Sequence, residues 1–91
     1  MPRKTEATTP LLEALSTAVS ELHSAAGEYS WCRVRYVAVR YEDQVKRDPE
    51  AYSQHQKVLS TAHYNYTQSK ARLSQADHDY RAALTAVRFI L

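Results

Sequence analysis

Turn-forming residues are almost missing from this chain. Its 91 residues include one glycine and three prolines, and two of those prolines fall before residue 11. An all-β fold needs many chain reversals, and reversals draw on such residues, so that class is excluded. Cysteine is equally scarce. The lone Cys32 rules out an intrachain disulfide framework and suits a reducing compartment. No apolar run approaches the roughly 18 residues of a membrane span, and residues 1–9 lack the apolar segment of a signal peptide. A cytoplasmic location is the expectation, with export by a leaderless route left open. A single glycine, Gly27, also rules out a glycine-rich phosphate-binding loop.

What the chain does have is helical punctuation and periodicity. Thr9 can cap a helix, Pro10 suits a first turn, and Glu13 lies near the positive end of the dipole. Lys46-Arg47 suits a helix end, and Asp48-Pro49-Glu50 suits the start of another. These signals predict a disordered tail over 1–8, a helix over about 10–47, a turn near Asp48 and a helix over about 49–90. The turn lacks a glycine cap, so a kinked continuous helix is the alternative.

Leu11, Leu15, Ala18, Leu22, Ala25, Tyr29, Cys32, Tyr36 and Val39 follow alternating spacings of four and three. So do Tyr52, His55, Leu59, Ala62, Tyr66, Ser69, Leu73, Ala76, Tyr80, Ala83, Val87 and Ile90. Sustained spacing of this kind is the coiled-coil pattern. Within each heptad one position is large and the other small, which suits close antiparallel packing along the small side. The expected fold is therefore all-α: a long antiparallel two-helix hairpin, coiled-coil-like, completing its core by oligomerisation. Ser24-Ala25-Ala26-Gly27 reads as a site of close helix contact, although Gly27 could instead break the first helix. The stretch from Tyr29 to Tyr41 is rich in β-branched and aromatic residues, and would pass as a strand if a second copy paired with it.

A second apolar row, Trp31, Val34, Ala38, Tyr41 and Val45, has no place in a two-helix seam. The chain ends on Phe89-Ile90-Leu91, which an antiparallel hairpin returns toward Leu11 and Leu12. Trp31, Val34, Tyr41, Phe89, Ile90 and Leu91 are the candidate partner interface. Arg33, Arg35 and Arg40 would form its rim or contact phosphate. Residues 8–28 carry three acids and no Lys or Arg, whereas 29–47 carry five basic residues and two acids. The acidic half could complement the arginines across a subunit boundary.

No catalytic, cofactor or metal constellation is predicted. His23, His55, His63 and His78 have neither the mutual spacing nor the Glu-x-x-His context of helical metal ligands. Asp77-His78-Asp79 reads as a solvated face, and Cys32 as a small buried hydrophobe. The expected role is a non-enzymatic protein–protein interaction or self-assembly module, such as an assembly subunit, adaptor, or small inhibitor or chaperone. The expected partner is a homo-oligomer or another protein, with no small-molecule substrate. The alternative is a helical nucleic-acid-binding protein using the basic half of helix one. The WXG-type hairpin pattern is not met, because Trp31 lies mid-helix and Tyr80 is followed at i+4 by Leu84. The Asp48-Pro49 turn and apolar end are similar to type III secretion needle subunits, a likeness of general hairpin pattern that assigns no family.

Overall fold

The computed structural model describes the backbone over 2–42 and 49–90 and the side chains over 8–40 and 49–90. Two helices account for all of it: α1, Pro2–Glu42, and α2, Pro49–Ile90. Each is roughly 60 Å long at 1.5 Å per residue. They pack antiparallel, because partners on α2 fall in number as those on α1 rise. Arg72 meets Glu21, whereas Tyr66 and His63 meet Tyr36. This arrangement removes the single kinked helix. The last turn beyond Glu42, and the turn expected near Asp48, lie outside the described residues.

The start of α1 differs from expectation. Its backbone is helical from Pro2, so residues 2–8 are helix where a disordered tail was expected, and Pro10 lies inside the element. Pro2 suits a first helical position and no glycine follows it before Pro10. Pro10 itself has no N–H to donate, so one bond of the i→i−4 ladder is missing there. The stretch Tyr29–Tyr41 is helical, not a strand. Cys32, Tyr36 and Val39 meet the second helix at three- and four-residue steps, and among the described residues no strand exists for it to pair with.

The small row forms the centre of the contact. Ala25 is fully buried, and Cys32, Val39, Ala62, Ser69 and Ala76 are buried with it. The larger row stays half-buried: Leu15, Leu22, Tyr29 and Tyr36 on α1, and Leu59, Tyr66, Leu73 and Tyr80 on α2. Small side chains can be enclosed between two helices, whereas large ones must point to the side of the seam. Val87 is an exception, a large-row residue that is buried near the end of α2. Ser69 is a polar member of the small row, and its hydroxyl donates 2.8 Å to the Tyr66 carbonyl of its own helix. That bond satisfies the hydroxyl without a partner from α1.

Gly27 does not break α1. It does not sit at the close contact either: a Cβ built there meets nothing within 4 Å. Of the Ser24–Gly27 segment only Ala25 lies in the buried row, since both Ser24 and Gly27 are exposed. Gly27→Ala should therefore stabilise the hairpin by about 0.5–1 kcal/mol, by lowering the entropy of the unfolded chain. A urea midpoint that stays put or falls would show that Gly27 has a role the helix alone does not explain.

The hairpin is a rod of 74 × 14 × 13 Å. Its radius of gyration is 20.5 Å, against about 12 Å for a compact chain of this length. It exposes 7173 Å², where a compact monomer of its mass exposes about 5,400 Å². Two helices enclose only a line of small groups, and the large side chains have nowhere else to go.

Candidate functional site: two unlike flanks

Successive helical residues are about 100° apart, so each flank of the buried row can be read from the sequence. Tyr29 and Tyr36 lie roughly 50° to one side of the Ala25–Cys32–Val39 line, and Glu28 lies roughly 50° to the other. The two flanks have different chemistry.

On the acidic side, one guanidinium ties the helices together. Arg72 Nε donates to Glu21 Oε1 at 2.9 Å and Nη2 approaches the same oxygen at 2.8 Å. Its Nη1 donates to Glu28 Oε2, and Nη2 also reaches Ser24 Oγ at 3.3 Å. These carboxylates hold the Arg72 guanidinium above its ordinary range, Glu21 first and Glu28 next. Exposed ion pairs add little stability singly. Here one fork spans two acids a heptad apart, so its value lies in selecting the register. Glu21 and Glu28 are thus paired within the chain, each side chain still about half exposed. Nothing in the sequence marked Arg72, because its partners are 44 to 51 positions away.

The Trp31 row lies further along this same side, toward the turn. Trp31 is 63% exposed and Val34 69%. With Arg35, Ala38, Val39 and Val58 they line an open groove of about 380 Å³. The Arg35 guanidinium lies over the indole, 5.8 Å from its centroid, a cation–π arrangement. Val58, from α2, extends the apolar patch across the seam; it was not among the expected interface residues because it falls outside the α2 stripe.

The three arginines do not share a face. Arg35 stands beside Trp31, whereas Arg33 and Arg40 project about 80–100° to the opposite side, next to the tyrosines. On that side Tyr36 packs tilted against His63 and Tyr66, both at 5.3 Å between centroids, and Tyr29 meets Tyr66 at 5.7 Å. Tyr66 is held above the usual phenol range, first by its side-chain hydrogen bond with Tyr29 and then by the repulsion of a second phenolate there.

At the far end of α2, Phe89 is 88% exposed and Ile90 39%. Phe89 does not close the bundle; Val87 takes the buried position instead. The side chain of Tyr41, and Leu91 altogether, lie outside the described residues. Asp77 and Asp79 make local bonds to Arg81 (3.1 Å) and Gln75 (2.9 Å), while His78 is exposed. Among the described residues, no three His, Cys, Asp or Glu side chains converge as metal ligands, and no helix is long and apolar enough to cross a membrane. Comparison with protein-family models, curated proteins and solved structures finds no match for this chain.

Proposed function

We propose that this chain is a non-enzymatic protein–protein interaction or self-assembly module, of the assembly-subunit, adaptor, inhibitor or chaperone kind. The observation that supports it is the Trp31 face. A tryptophan and two valines stand exposed around one groove, and Arg35 is held over the ring. Aromatic and arginine side chains supply much of the energy at protein interfaces, and an exposed patch of this composition favours a partner. Phe89 and Ile90 would extend contact at the opposite end of the rod.

Nucleic-acid binding through the basic half of α1 is the second reading. It is less favoured because Arg35 lies on one flank and Arg33 and Arg40 on the other, so no single groove gathers the charge. It predicts binding that weakens steeply with salt.

Trp31 is the only tryptophan, so its fluorescence reports on this face alone. Binding of the partner should shift its emission to the blue and shield it from iodide. A Trp31 that stays fully quenchable when the chain is bound in host extract would remove the Trp31 face from the contact.

A further inference from the structure

The flank opposite Trp31 carries the half-buried large row of both helices. Beside the half-buried large row runs another row on α1, one residue on from each small position: Leu12, Val19 and Ala26. The same seven-residue spacing then reaches Arg33 and Arg40, so this row is apolar away from the turn and basic toward it. The matching row on α2 reads Gln56, His63, Lys70, Asp77 and Leu84. Leu22, Tyr29 and Leu73 form the floor of an open groove of about 410 Å³ there, with Lys70 and Asp77 on its rim. A helix apolar over so wide an arc is built to meet two neighbours, and α2 is only one of them.

We propose that the occupant of this flank is a second copy of the chain, related by a two-fold axis that passes near Leu73 and makes an antiparallel four-helix bundle. The rim charges support this choice, since the local pair of Asp77 with Arg81 engages its Oδ2 and is exposed enough to be shared. Lys70 and Asp77 have opposite sign, share a face and lie one heptad apart, so a two-fold axis midway between them sets each Lys70 against the other copy's Asp77. A two-fold contact must be self-complementary, and this pair meets that condition. The extent is also sufficient. From the midpoint of Lys70 and Asp77 to Ile90 is roughly 25 Å of helix, so two copies overlap over about 50 Å. With a rod width of 14 Å this is on the order of 1,400 Å² in total, above the ~1,200 Å² that stable interfaces need. The proposal deepens the interaction reading by naming a partner, but it uses the flank away from Trp31, so either can fail alone.

The test is sedimentation equilibrium on the full chain, with helix content followed by circular dichroism. The wild type should have twice the mass of the 10.4 kDa chain. Lys70 is exposed, so Lys70→Asp should leave helix content intact while weakening association about tenfold or more, through like charges facing twice across the axis. Adding Asp77→Lys to it should restore association, and Lys70→Gln should fall between. Trp31 emission should not change as the dimer is diluted. A single-copy mass up to the millimolar range would overturn the proposal. So would a dimer indifferent to Lys70→Asp, or one whose dissociation shifts Trp31 emission, because the copies would then meet elsewhere.

Discussion

Replacing Ala25 by leucine is expected to destabilise the hairpin by about 1–3 kcal/mol, the usual cost of forcing extra volume into a packed contact. Ala25 is the most enclosed side chain on α1, with none of its surface exposed. Its row is small on both helices, so a larger group there pushes the helices apart instead of filling a gap. Ala62 and Ala76, each 2% exposed, carry the same expectation. The control is Ala71→Leu, on the exposed back of α2, which should change stability by less than about 0.5 kcal/mol. Urea unfolding measures both. Equal effects at Ala25 and Ala71 would mean that the small row reflects helix propensity and not close packing.

Truncating Tyr36 to alanine should cost about 2–3 kcal/mol, combining lost apolar burial with two ring contacts. Tyr36 is the point where α1 reaches both His63 and Tyr66. Tyr36→Phe keeps the ring and should stay within about 0.5 kcal/mol of the wild type. A phenylalanine variant as unstable as the alanine one would shift the credit from ring packing to the hydroxyl. If the alanine variant unfolds too early to measure, the phenylalanine variant still decides between them.

Much of the architecture is legible in the residues because a repeat of three and four is a local property. The alternation Tyr29, Cys32, Tyr36, Val39 places a large and a small group on one face whatever the partner is. Scarcity of glycine and proline left helices as the outcome, and Pro49 marks the first position of α2. The start of α1 was less legible, because Thr9-Pro10 is a good start signal that a helix already under way can override. The small segment Ser24–Gly27 misled for a related reason. Composition shows that a close approach is possible, but only helical phase shows that Ala25 faces α2 and Gly27 faces away.

The site divides in the same way. Exposure of Trp31 and Val34 follows from their phase relative to the stripe, so both could be named from α1 alone. Val58 could not, because it joins them only through the pairing of α1 with α2. The same pairing spends Glu21 and Glu28 on Arg72.

By itself, then, the sequence determined that there would be two long helices, that each would carry one small and one large row, and that apolar surface would be left over. Periodicity decides these matters because it acts within a helix, over three to seven residues. The tertiary structure alone decided which residues of α1 meet which residues of α2. It sets Arg72 against both Glu21 and Glu28. That choice depends on the register between residues more than 40 positions apart, which no local pattern encodes.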